Sequence, residues 1–254
     1  MRGSPVLMYH GIGAPPPRVA DEGHYNVERA ELEQQLDLLA SRRVISLEAM
    51  LGGQRGVVLT FDDGERSVLL EAAPLLRARR LPAVLYVTSG LLGQPGYLAP
   101  EEVAKAGAAG LTIGAHGHTH RFLPDLPDAE LEDELGRSRE TLSKLAGVPV
   151  VHMSLPGGRG DARVATAARR AGFRTIATSQ AGLASMRQNA YEIPRMPVNR
   201  GLSPARFANL CDGSFSLYAS AMARERALRL AKRTLGNDRY VALRGTVRRW
   251  LGRS

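Results

Sequence analysis

Six short apolar runs alternate with helical patterns along this chain, and that alternation constrains its fold more than any other feature. The runs are PVLMY (5–9), VVLTF (57–61), AVLYVT (83–88), LTIGA (111–115), VVHMSL (150–155) and RTIATS (174–179), with YEIPRM (191–196) a weaker seventh. Between the first six lie VERAELEQQLDLLASR (27–42), SVLLEAAPLLRARR (67–80), PEEVAKAGAAG (100–110), DAELEDELGRSRETLSKLAG (128–147) and ARVATAARRAG (162–172), several closing on the glycine that often ends a helix. Near-continuous apolar runs suit strands buried on both faces, and strands joined through helices are parallel. A barrel and an open doubly wound sheet both satisfy this order. The 254 residues match the roughly 250 that a single α/β barrel needs. Beyond about residue 200 the strand signal fades, so a domain over 1–205 is expected to carry a helical extension over 206–254.

Charge sets that extension apart. Residues 224–254 hold ten Arg or Lys against Glu225 and Asp238, a balance of +8 within a chain whose net charge is +9. In YVALRGTVRRWLGRS the residues Tyr240, Leu243, Val247, Trp250 and Leu251 recur at helical spacing, with Arg244, Arg248 and Arg249 on other faces. Such a basic amphipathic helix suits an anionic membrane surface, or packs on its own domain with solvated arginines. Nucleic acid is not an expected partner, because charge is unaccompanied by an aromatic stacking platform. No apolar run approaches the roughly 20 residues of a spanning helix, and MRGSPVLMYHGIG reaches its first strand too soon for a secretion signal. The single cysteine, Cys211, forms no internal disulfide. A cytoplasmic protein, peripheral at the inner membrane face, is the expectation.

In parallel α/β folds the working residues gather at the C-terminal ends of strands. Asp62 and Asp63 follow VVLTF, His116 follows LTIGA, and Pro156, Gly157 and Gly158 follow VVHMSL. IGAHGHTHRFL places His116, His118 and His120 within five residues. Histidines four apart can share a metal ion, and Asp62 or Asp63 can complete the ligand set.

TFDDG, the later H-x-x-x-H after an IGA-type strand end and the following Pro-Gly turn together resemble the polysaccharide deacetylase family, carbohydrate esterase family four, with its NodB-homology domain. LMYHGIG (7–13) and GFRT (172–175) are also similar to family members, and the resemblance runs over roughly residues 5–200. It implies an incomplete, distorted (β/α) barrel and metal-assisted removal of N-acetyl groups from an N-acetylhexosamine-containing glycan or glycan precursor. It assigns Asp63, His116 and His120 as metal ligands and Asp62 as general base. Zinc suits two imidazoles and a carboxylate best, with cobalt, nickel or iron accepted by the same donors. His118 is expected to point away from the metal, and Thr119 to hydrogen-bond nearby or serve as a turn residue.

The chain departs from the family at two places. Many relatives carry an Arg-x-Pro-Tyr segment whose Arg orients the base and whose Tyr gives a backbone N–H to the oxyanion. Here SLPGGRGD (154–161) puts Ser154 at the arginine place and Gly157 at the tyrosine place. Gly157 retains the backbone donor, and Arg159 or Arg195 is expected to replace the missing guanidinium. The family's terminal histidine, its general acid, is also absent, since no histidine follows His152. His10, at the end of the first run, is the first substitute and His152 the second. Two other functions fit the same residues: a metal-retaining sugar-binding scaffold with weak catalysis, and an amide hydrolase on a non-sugar substrate. With aromatic content of 5%, a short or flexible ligand is expected over a rigid polymer.

Overall fold

The computed structural model describes residues 3–17, 23–185 and 189–235. Strands β1 (Val6–Tyr9), β2 (Val58–Phe61), β3 (Ala83–Val87), β4 (Leu111–Ala115), β5 (His152–Ser154), β6 (Thr175–Ala177) and β7 (Met196–Pro197) form one seven-stranded sheet in the order β6-β5-β4-β3-β2-β1-β7. Every pair is parallel. Helices α1 (Arg29–Leu38), α2 (Leu47–Leu51), α3 (Ala73–Ala78), α4 (Pro100–Ala108), α5 (Asp128–Ala146) and α6 (Ala162–Arg170) intervene, and α7 (Pro204–Cys211) and α8 (Phe215–Leu235) follow. The sheet curls into an incomplete (β/α) barrel. Ile193 bridges Ala177 of β6, and then Met196 and Pro197 pair with Leu7 and Met8 of β1, so one segment approaches both edges.

Period-two alternation divides the two faces. Leu7, Tyr9, Leu59, Phe61, Leu85, Val87, Ile113 and Met153 pack outward under the helices in the larger core. Val6, Val58, Val84, Tyr86, Ala177 and Ile193 point the other way and meet Leu47 and Met50 of α2, which closes one end of the curl. At 25 cal/mol per Å², burying each such aliphatic side chain contributes about 1.5–3 kcal/mol. Higher on that inner face the buried residues turn polar: Thr60, Asp62, Ser154, His116 and Arg195. Those groups require internal partners, and their location marks the site.

Phe207, Leu210, Cys211 and Tyr218 are buried in the larger core, so the chain beyond residue 205 begins as packed structure. Arg42 anchors this corner through a forked ion pair to Asp212, at 2.7 and 2.9 Å. Among the described residues no helix is long and apolar enough to cross a membrane. The amphipathic segment YVALRGTVRRWLGRS lies outside the described residues.

Candidate metal centre and active site

Two adjacent aspartates follow β2 and immediately part. Asp63 has φ of 71°, a left-handed conformation unusual for a residue with a side chain, and Gly64 follows at 83°. This turn sends the Asp62 and Asp63 carboxylates to different neighbours. Asp62 is met by Arg195, whose Nη1 and Nη2 each donate to one carboxylate oxygen at 2.7 Å. Arg195 is fully buried and also donates from Nε to the Thr178 carbonyl (2.9 Å) and from Nη1 to the Thr60 hydroxyl (3.2 Å). Burial opposes the charge on Asp62, but the guanidinium prevails and holds its pKa below the usual carboxylate range. Of the two arginines expected to approach this base, Arg195 reaches it. Arg159 does not: its guanidinium lies 4.5 Å from the Phe122 ring centroid and 3.4 Å from Asp125, at the surface. Arg159 comes directly after the Pro156–Gly158 turn that leaves β5 and points out to the surface, whereas the segment entering β7 carries Arg195 inside the curl.

Asp63 faces the histidines. Its Oδ1 lies 3.3 Å from Nε2 of His116 and 3.2 Å from Nε2 of His120. All three ligand atoms lie within 4.8 Å of one another. His116 turns Nδ1 toward the Ser154 carbonyl at 3.1 Å and hydroxyl at 2.5 Å. A carbonyl only accepts, so Nδ1 carries the proton and Nε2 offers its lone pair toward Asp63. Asp63 Oδ1 is buried without a hydrogen-bond partner. A tetrahedral ion with bonds of about 2.0–2.1 Å needs donor atoms roughly 3.3 Å apart, which is the spacing from Asp63 to each imidazole. The donor set therefore fits a divalent cation.

Ser154 stands where the family resemblance places an arginine, and its hydroxyl also donates to Asp62 Oδ1 at 3.2 Å. It links Asp62 and His116 across the inner face. His10 follows β1, stacks on Tyr25 with ring centroids 4.7 Å apart, and keeps a buried Nδ1 without a partner. Tyr9 pairs with Phe61, so His10 leaves β1 at the same rim as Asp62. His152 is engaged elsewhere: Nδ1 meets Thr175 Oγ1 at 2.9 Å and Nε2 meets Glu48 of α2 at 2.8 Å. Gly157 has φ of 61° in the turn after β5, and a side chain there would collide with the Phe122 ring. His118 turns to Ser89, with Nδ1 2.8 Å from its hydroxyl, as expected for a residue pointing away from the ligands.

Behind Asp63 lies Glu65, which motif reasoning passed over. Its Oε2 accepts from Asn26 (2.8 Å) and Ser67 (3.3 Å), while Oε1 has no partner. Gly11 leaves the space, since a β-carbon there would fall 1.8 Å from Oε2. Burial pushes the pKa of Glu65 up to about 7, with the Asp63 charge adding to the effect. For a carboxyl raised on folding, the stabilising contribution is complete below its unfolded pKa and is lost as pH rises through 7. Glu65→Gln is therefore expected to equal the metal-free wild type near pH 4 and exceed it by up to about 3 kcal/mol at pH 8. Urea denaturation at both values checks this, and a gap that does not widen with pH contradicts it.

The family model described as polysaccharide deacetylase matches residues 51–176. Protein YxkH of Bacillus subtilis (strain 168), whose name assigns it provisionally to the polysaccharide deacetylases, is 25% identical over 213 residues, covering 80% of this chain and 74% of its own. Among solved structures, the deacetylase PplD of Streptococcus pyogenes in complex with acetate is similar at a TM-score of 0.75 and 22% identity, covering 83% of this chain and 98% of that one. IcaB from Ammonifex degensii is similar at 0.70 and 22%, covering 87% and 98%. At these identities the structural matches establish the fold.

Proposed function

Because this chain belongs to the polysaccharide deacetylase family, we propose that it is a metal-dependent carbohydrate N-deacetylase, removing acetyl groups from N-acetylhexosamine units of a glycan or glycan precursor. One observation carries this most: the two aspartates are separated into an arginine-held carboxylate and a histidine-facing carboxylate with an orphaned oxygen. Asp63, His116 and His120 would hold the ion, with zinc the best match and cobalt, nickel or ferrous iron accepted. Such an ion supplies Lewis acidity, easing deprotonation of water and polarising a carbonyl.

The protein's own groups do the rest. Asp62 accepts the proton of the water that attacks the acetamide carbon, and Arg195 keeps that carboxylate ionised and aimed. The backbone N–H of Gly157 donates to the oxyanion, its missing side chain allowing the substrate close. His10 returns a proton to the departing amine, so that acetate and a free amino sugar leave. The catalytic domain is taken over residues 1–205, with α7 and the start of α8 packed on it, and the basic segment over 224–254 is assigned to an anionic membrane surface on the cytoplasmic side.

The test is acetate release from N-acetylhexosamine oligomers by metal-loaded protein. Asp62→Asn is expected to lower kcat by about 10²–10⁴ while retaining the metal. Wild type that binds metal yet releases no acetate from any such oligomer would return the chain to a sugar-binding scaffold.

A further inference from the structure

Residues 117–119 connect the two histidine ligands, and one buried carboxylate from α5 holds them. Glu134 is 3% exposed. Its Oε1 accepts the N–H groups of His118 at 2.7 Å and Thr119 at 2.5 Å, and its Oε2 accepts the Thr119 hydroxyl at 2.9 Å. One helical turn later Ser138 donates to the Gly117 carbonyl at 2.8 Å. From the opposite side Gly90 N–H donates to the His118 carbonyl at 2.8 Å, so the connection is pinned between β3's rim and α5.

This clamp answers a need in the backbone. His120 has φ of 63°, a left-handed conformation that costs roughly 1–3 kcal/mol for a residue with a side chain and survives only where its surroundings over-determine it. Released from that conformation, its ring would leave Asp63. Gly117, at φ of 75°, is shaped for the carboxylate as well: a β-carbon there would sit 3.0 Å from Glu134 Oε1. Glu134 shares its face of α5 with buried Leu131, Leu135 and Leu142, where an acid without a specific task is costly.

We propose that Glu134 is the positioning residue for the metal centre, setting ion affinity by reach rather than by charge. The inference rests on the metal site proposed above and assigns the loop's geometry to a residue outside the ligand set. It separates two variants of equal modesty. Glu134→Asp keeps the charge but withdraws the carboxylate by one methylene; Glu134→Gln loses the charge but keeps an oxygen where Oε1 accepts both N–H groups.

The full chain, stripped with a chelator, is titrated with Co²⁺ and followed by cobalt visible absorption, with thermal midpoints of the metal-free forms measured in parallel. Glu134→Asp is expected to bind Co²⁺ about 10–100-fold more weakly than wild type with altered bands, and Glu134→Gln to stay within less than about tenfold. Equal affinity and bands in Glu134→Asp and wild type would overturn the inference, even if thermal midpoints differ. So would Glu134→Gln binding as weakly as Glu134→Asp. A wild type that takes up no Co²⁺ would instead refute the metal centre itself.

Discussion

Arg195→Met is expected to destabilise the fold by about 3–5 kcal/mol and to abolish measurable acetate release. Arg195 and Asp62 are both buried, joined by two 2.7 Å hydrogen bonds. Removing one member of such a pair leaves an uncompensated charge in a low dielectric. The pH dependence should reverse with it. In the wild type Asp62's pKa is depressed, so its contribution is present above the unfolded carboxylate pKa and lost as pH falls through the folded value. Without Arg195 burial dominates and the pKa rises, so the variant loses stability as pH increases instead, and its base is protonated when needed. Lysine should not rescue it, having one point charge where two aligned donors are required. Denaturant melts across pH 4–8 decide the matter; a variant with wild-type stability and slope would show that the pair is not what holds this inner face.

Asp63→Ala is expected to lower kcat/KM for acetate release by about 10³-fold or more, corresponding to roughly 4 kcal/mol of transition-state stabilisation. Its Oδ1 faces both imidazoles at 3.2 and 3.3 Å, and no other carboxylate among the described residues completes the group. Stability should respond far less than in Arg195→Met. Asp63 carries a buried oxygen without a hydrogen bond, whose loss offsets the left-handed backbone cost that alanine adds, so the metal-free alanine variant should melt near the wild type while losing stabilisation by added Zn²⁺. Undiminished zinc stabilisation in Asp63→Ala would remove it from the ligand set.

Much of the architecture was legible because burial on both faces writes strands as near-uniform apolar runs. VLMY, VLTF, AVLYV and LTIGA form strands almost where their apolar letters lie. YEIPRM was less legible: it reads as one strand, yet only Met196 and Pro197 form β7, while Ile193 bridges β6. Pro194 and Pro197 lack the N–H groups a continuous ladder requires. The helical pattern over 67–80 likewise conceals a π-helical turn at Val68–Ala72 before α3, a difference of register that periodicity does not resolve.

The candidate donors were visible as DD and H-x-x-x-H because they lie close in sequence or at matching rims, while the choice of Asp63 over Asp62 came from the family resemblance. The choice between Arg159 and Arg195 was not, since it depends on where β7 enters the curl. Ser154 announced only a missing arginine; its bridge between His116 and Asp62 needs both strands in place. Glu134 did leave a trace, an acid at a position in phase with Leu131, Leu135 and Leu142 on the buried stripe of its helix.

Anomalous diffraction at the zinc edge from crystals grown with Zn²⁺ tests the central claim most directly. One peak is predicted, within about 2.0–2.2 Å of a carboxylate oxygen of Asp63 and of Nε2 of both His116 and His120, with Asp62 still paired to Arg195. A fully zinc-soaked crystal with no peak there, or with Asp62 as the ligand in place of Asp63, would contradict it.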